Sequence, residues 1–179
     1  NIVKYFNKTT LVSINEVEML KSDSKKENIY WLPNGVDIDE KHQKLDNYNS
    51  KNISFIGVLD NPHNEDGVLY FIDKIFPLIV KEIPDAVFQV IGRNPTNSIL
   101  SREKNNIVIT GFVENIDYWI KKSSITVIPL LIGSGVKTKI FESLKFGIPV
   151  VSTSLGAEGI IPELKKFIIV KDDVNEFAE

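Results

Sequence analysis

The chain has 179 residues, of which 42% are hydrophobic, 25% charged and 9% aromatic, the composition of a folded globular domain rather than a disordered, fibrous or membrane-embedded chain. It has no cysteine, so disulfides, thiolate metal centres and thiol catalysis are excluded. With 21 Lys and Arg against 24 Asp and Glu the formal charge is -3, which disfavours broad electrostatic binding to nucleic acid or anionic lipid; an anion bound here must be held locally.

A chain of this length buries roughly 70% of the surface its unfolded form exposes, enough for a core without metal or disulfide. No run approaches the ~20 apolar residues of a membrane-spanning helix, and Asn1 to Lys8 lacks a signal-peptide core, so the chain reads as soluble and cytoplasmic. It starts without Met and stops at Phe177-Ala178-Glu179, in what reads as the first turn of a helix after Asp172-Asp173; both ends are expected to be cut from a longer protein.

The first 50 residues read as a strand at Thr10 to Ser13, a helix at Asn15 to Lys21 and a second strand at Ile29 to Leu32, closed by Pro33-Asn34-Gly35-Val36-Asp37. Residues 38–52 are polar and nearly free of large apolar side chains, and are expected to be a linker between two domains. From there short β-branched runs alternate with amphipathic stretches. The expected strands are Ile53 to Ile56, Ala86 to Ile91, Ile107 to Thr110, Ile125 to Ile128, Val150 to Thr153 and Phe167 to Val170. Most are unbroken apolar runs, as when helices cover both faces of a parallel sheet, so the fold class is α/β with a doubly wound, Rossmann-like parallel sheet.

Between the first two of these strands, Val68, Leu69, Phe71, Ile72, Ile75, Phe76 and Ile79 mark one helical face, and Pro77 should kink or loosen the last turn before Pro84. Ile116 to Lys122 reads as a shorter helix and Val136 to Phe146 as another, with Gly147 as its stop and Pro149 before the next strand.

The densest chemical signal is Gly133-Ser134-Gly135-Val136-Lys137-Thr138-Lys139-Ile140-Phe141-Glu142, at a strand-to-helix turn. A Gly-rich turn lets backbone N–H groups approach an anion, and cations in a helix's first turn are better explained by a bound anion than by helix stability. Two phosphate motifs fail on spacing: Val136 separates Gly135 from Lys137 where a P-loop requires Gly directly before Lys, and Thr138 stands where the dinucleotide fingerprint needs a third small residue. Seven residues of helix would put Glu142 about 10 Å from Gly135, a plausible separation between a diphosphate and a ribose diol. The plainer reading of Lys139 and Glu142 is a surface ion pair.

Other strand ends converge on the same edge with Gly57, Gly92-Arg93, Gly111-Phe112-Val113 and Ser154 to Gly159, where open α/β sheets bind ligands, although a turn requirement accounts for each glycine singly. Neither His42 nor His63 has metal-ligand spacing beyond the nearby Glu65 and Asp66, so no metal is expected; His63 is a loop candidate for lying near a ligand.

These residues resemble the nucleotide-sugar-binding domain of the group 1 (family 4-like) retaining glycosyltransferases, which have a two-domain GT-B fold. The resemblance rests on Pro33 to Asp37, Phe55-Ile56-Gly57, Pro62 with Asn64, Phe76-Pro77 with Pro84, Val90-Ile91-Gly92, Thr110 to Val113, and above all Gly133 to Gly159. It implies that residues 1–37 are the tail of an acceptor domain and 53–179 a donor domain truncated at its C-terminus. The isolated fragment is then expected to bind a nucleoside-diphosphate sugar without turning it over, and no cofactor is implied. By the same resemblance Glu142 would hold the ribose, Lys137 or Lys139 would face the diphosphate and stabilise the leaving group, and Gly111, Phe112 and Val113 would lie near the base with Arg93 close by. Gly57, Gly133, Ser134, Gly135, Val136 and Thr138 complete the expected donor site.

The family's first glutamate is replaced by Ser134, and its usual Arg and Lys pair is absent from Val58 to Gly67, which leaves the donor open. The acceptor, a sugar or glycolipid, would meet the missing domain, and the full-length protein could sit peripherally at the inner membrane face; polysaccharide or glycoconjugate synthesis is the setting the resemblance implies. The alternatives are a sugar-nucleotide epimerase of the same fold, which would need ionisable groups where Gly133 and Ser134 stand, and a non-catalytic α/β module such as a receiver, whose acidic cluster would need more than Asp60.

Overall fold

The computed structural model describes residues 2–37 and 50–179. After a turn of 3-10 helix at Ile2–Tyr5, strand β1 (Thr9–Leu11), helix α1 (Ile14–Ser24) and strand β2 (Ile29–Trp31) form a parallel two-stranded unit. Helix α1 starts where Ser13 accepts the Glu16 N–H and buries Val17 against Val3 and Ile29. Most of the expected linker, residues 38–49, and with it His42, lies outside the described residues.

The second unit runs β3 (Asn52–Ile56), α2 (Pro62–Tyr70), α3 (Phe76–Glu82), β4 (Val87–Ile91), α4 (Asn97–Leu100), β5 (Ile107–Gly111), α5 (Ile116–Lys121), β6 (Ile125–Ile128), α6 (Thr138–Leu144), β7 (Val150–Ser152), α7 (Pro162–Lys165), β8 (Ile168–Val170) and α8 (Val174–Ala178). The six strands from β3 onward form one parallel sheet in the order β5-β4-β3-β6-β7-β8. Counted from β3 this is the doubly wound order 3-2-1-4-5-6, and its switch point falls between β3 and β6. The six expected strands are all present, with ends differing by one residue at most.

The helices depart further from expectation. The amphipathic stretch before β4 is α2 and α3 joined by a π turn at Phe71–Ile75, in which the Phe76 N–H reaches back to the Phe71 carbonyl. A proline ring collides with the carbonyl four residues earlier, here Asp73, and the wide turn just ahead of Pro77 makes the room. The disturbance thus lies upstream of Pro77, not in the last turn. Phe71, fully buried in that turn, meets Phe88 at 4.5 Å between ring centroids, Phe76 at 6.1 Å and Phe177 at 6.2 Å, which fixes the helix on the sheet. The helix expected from Val136 starts at Thr138 and ends at Leu144. Val136 instead packs outside it, against Gly159, and Gly147 at φ +70° closes the C-terminal end with its N–H on the Leu144 carbonyl.

The carboxyl ends of β3, β4 and β5 meet in a row of backbone bonds: the Gly57 N–H donates to the Ile91 carbonyl at 3.0 Å and the Gly92 N–H to the Gly111 carbonyl at 3.2 Å. A Cβ on Gly92 would lie 1.7 Å from the Gly57 carbonyl oxygen, so the two strand ends close together only because residue 92 has no side chain. Among the described residues, no helix is long and apolar enough to cross a membrane.

Candidate functional site

At the switch point three segments converge on one spot: the end of β3 at Gly57, the start of α2 at Asn61 to Asn64, and the Gly133 to Lys139 turn between β6 and α6. Asn61 caps α2 by accepting the His63 N–H at 3.0 Å. The His63 ring then lies against Gly133, 3.5 Å from where a Cβ there would be. One residue on, Asn64 donates its Nδ2 to the Val58 carbonyl at 2.9 Å and accepts the Lys139 ammonium on Oδ1 at 2.7 Å.

Lys139 is half-buried as a residue, but its ammonium is deep in the structure, 4.1 Å from the centre of the Phe55 ring. Burial, and secondarily the charge of Lys137, push its pKa down to about 7. Among the described residues no carboxylate lies within ion-pair distance of it. The ion pair with Glu142, the plainer reading of that spacing, is not formed. Glu142 is half-buried on α6 without a cationic partner among the described residues, and since α6 starts at Thr138 it stands about 6 Å along the helix from its start.

Lys137 is used differently. Its ammonium donates to the carbonyls of Ser134 at 3.0 Å and Gly135 at 2.6 Å, so it braces the turn that carries it. Burial lowers its pKa, while Glu158 and Glu16 oppose that by favouring its charge. Glu16 comes from α1 of the first unit, its Oε1 3.8 Å from a Cβ placed on Gly135, and Glu158 has a buried Oε2 without a hydrogen-bond partner. Of the two lysines, Lys139 is the one whose charge no acidic group answers.

The remaining expected site residues spread along the edge. Ser134 and Thr138 are exposed at the turn, and Val136 packs toward the core. Arg93 is exposed just past β4, its carbonyl taken by the Leu59 N–H. Beyond β5, Phe112 is 74% exposed, whereas Val113 packs on the small cluster of Ile56, Ile91, Ile120, Phe146 and Ile148. Gly57, Gly133 and Lys139 thus meet directly around His63 and Asn64, while Arg93 and Gly111 to Val113 line the same edge toward β5. Sequence reasoning missed the ring of Phe55, the clamp of Asn64 on Lys139 and the approach of Glu16. Phe55 and Asn64 stood in stretches that carry the family resemblance without being assigned a role, and the signal near Glu16 was a Ser-x-x-Glu at the head of α1, which has the form of a helix cap.

The spot gathers a desolvated lysine, a Gly-rich turn and the start of α6 at the edge where doubly wound sheets hold ligands, an arrangement chemically suited to an anion. A family model described as glycosyl transferases group 1 matches residues 50–179. A 44.6 kDa protein of the cps region of Klebsiella pneumoniae is 27% identical over 190 positions, covering 98% of this chain and 48% of the relative; the chain therefore spans about half the length of the curated relative it matches. A point mutant of S. aureus TarM, in complex with fondaparinux, alpha-GlcNAc-glycerol and UDP, superposes with TM-score 0.74 at 16% identity over 99% of this chain and 36% of its own. Anabaena HepE, in complex with UDP and glucose, superposes with TM-score 0.70 at 14% identity over 99% of this chain and 53% of its own. WaaG, a glycosyltransferase involved in lipopolysaccharide biosynthesis, does so with TM-score 0.73 at 11% identity, over 96% and 51%. At such identities these likenesses speak for the fold.

Proposed function

We propose, from the premise that this chain belongs to the group 1 glycosyl transferases, that its six-stranded unit is the donor-binding half of a retaining glycosyltransferase and takes a nucleoside-diphosphate sugar at the switch point. The observation that carries this reading is Lys139, a desolvated ammonium without a carboxylate partner among the described residues, beside the Gly133 to Gly135 turn. A protein tolerates such a group where a ligand supplies the counter-charge. In this reading Glu142 accepts the ribose hydroxyls, Lys139 and the turn's N–H groups meet the diphosphate, Lys137 holds the turn in shape, and Arg93 and Gly111 to Val113 lie toward the base.

Glycosyl transfer breaks the bond between the anomeric carbon and the phosphate oxygen, whose electron pair leaves with the nucleoside diphosphate, while an acceptor oxygen forms the new bond and passes its proton to the departing phosphate. The negative charge that grows on the leaving group is what Lys139 is placed to stabilise, an electrostatic contribution that needs no proton transfer from the protein. The first unit, whose Glu16 approaches Gly135, reads as the end of an acceptor domain, and the acceptor is bound mainly outside this chain. We therefore expect the chain by itself to bind donor without transferring sugar. Synthesis of a surface polysaccharide or glycoconjugate is the setting we infer, in keeping with a relative encoded in a cps region; a place at the cytoplasmic face of a membrane is part of the same proposal.

The test is a calorimetric titration of the chain with UDP, GDP, ADP and their nucleosides. Saturable binding of one diphosphate, with its nucleoside much weaker, is the expected result. Equal affinity for nucleoside and diphosphate, or no binding at millimolar concentration, would contradict the assignment.

A further inference from the structure

An ammonium has three donors and no acceptor, and the simplest way to hold one in a protein interior is a carboxylate. This site uses an amide. Asn64 Oδ1 takes one N–H of Lys139 at 2.7 Å and the Phe55 ring faces the charge at 4.1 Å, and neither neutralises it. The orientation of that amide is fixed by its other end: the Val58 carbonyl can only accept and the lysine can only donate, so Nδ2 must face Val58 and Oδ1 must face Lys139. The pair occupies the space a side chain on residue 57 would take, with Asn64 Nδ2 2.9 Å and Lys139 Nζ 3.1 Å from a Cβ there.

Of the acids near Asn64 in the chain, two are turned to other partners, and Asp66 is exposed on α2 and forms no ion pair with Lys139. Asp60 accepts from Asn94 at 2.9 Å and Glu65 from Thr96 at 2.7 Å. On its own element the charge that acts on Lys139 is that of Lys137, a like charge, and Glu142, three residues along α6, forms no ion pair with it.

We propose that Asn64 is a positioning residue for the leaving-group cation: it locks the Lys139 ammonium at the switch point through a neutral oxygen, so that the charge is fixed in place yet left uncancelled for an anionic ligand. The inference rests on the donor-binding reading for the identity of that anion, a diphosphate, but the clamp itself is a statement about two side chains. An aspartate at position 64 would have nearly the same shape and would weaken the function by supplying the counter-charge internally; it would also lose the bond to the Val58 carbonyl, a loss that N64A shares without adding charge.

The experiment compares the 179-residue chain with N64D and N64A, using inorganic pyrophosphate as the probe and the side-chain NMR titration of Lys139, identified by its loss in K139M. In N64D the Lys139 midpoint should move up toward the ordinary lysine range and pyrophosphate affinity at about pH 6, where parent Lys139 is charged, should fall about tenfold or more. In N64A the midpoint should stay low while affinity falls about tenfold, the equivalent of one lost hydrogen bond holding the cation. Circular dichroism and a melting curve separate these effects from misfolding. Variants with a lower melting temperature but the parent's midpoint and affinity would show that Asn64 only packs, and would overturn the proposal. If N64D shifts the midpoint while the parent binds neither pyrophosphate nor any nucleoside diphosphate, the clamp stands and the donor-binding reading fails.

Discussion

Replacing Lys139 by Met keeps the stem that packs on Phe55 and removes the charge, and its consequence for pH dependence follows from the structure. Burial and Lys137 hold the parent amine at about 7. If only the charged form answers the diphosphate, the binding-competent fraction falls from about 0.9 one unit below that midpoint to about 0.01 two units above it, an affinity loss of about ninetyfold. That is about 2.7 kcal/mol, within the range of about 1.5–3 for a hydrogen bond to a charged group. The assay is calorimetry from about pH 6 to 9 with whichever intact nucleotide sugar binds, because its phosphates, unlike the terminal phosphate of a free diphosphate with its second pKa near ~6, do not titrate in this window. The parent should lose affinity steeply across the window, and K139M should bind weakly at every pH with no slope. A flat parent, or a K139M that keeps the slope, would refute the assignment of the charge to Lys139. Stability supplies a second sign. Between about 7 and 10.5 the unfolded chain holds this proton and the folded chain does not, so parent stability should rise with pH through that window, and K139M should lack that rise.

Glu142→Ala should weaken nucleotide binding by about 1.5 to 3 kcal/mol with the fold intact, and the loss should vanish for a nucleotide lacking the ribose diol; an equal loss for both would detach Glu142 from the ribose. Gly92→Ala brings a Cβ within 1.7 Å of the Gly57 carbonyl at a φ of +155°, so denaturant unfolding should show a destabilisation of about 3 kcal/mol or more. Phe71→Ala removes the ring that Phe76, Phe88 and Phe177 share and should cost about 3–5 kcal/mol by the same measurement, while a loss under about 1 kcal/mol would mean the π turn can collapse into the space.

The sheet could be read from the sequence because parallel strands covered on both faces are short, unbroken and β-branched, as at Ile53 to Ile56 and Ile125 to Ile128, and such runs leave little choice of structure. The one-turn helices α4 and α7, four residues each, could not be read, since a period of 3.6 needs more than one turn to show. Pro77 announced a disturbance, but where it fell depended on the packing of Phe71 and Phe76 against the sheet. The Gly133 to Glu142 run was expected at a strand-to-helix turn and does join β6 to α6, where Lys139 and Glu142 stand without an ion pair to each other. Lys137 and Lys139 looked alike in sequence, two apart on one turn. Only the fold separates them, by laying Lys137 on the Ser134 and Gly135 carbonyls and bringing Asn64, 75 residues away, to Lys139. Contacts at that separation have no local signature.

The central claim is tested most directly by a crystal structure of the chain with the nucleoside diphosphate it binds. We predict the diphosphate within hydrogen-bond distance of Lys139 Nζ and the Gly133 to Gly135 backbone, with the ribose hydroxyls on Glu142. A nucleotide seated elsewhere would contradict it. The most telling alternative is the cavity of about 690 Å³ lined by Asn34, Val36, Phe141, Leu144, Lys166 and Phe167, a position that would leave Lys139 without an anion.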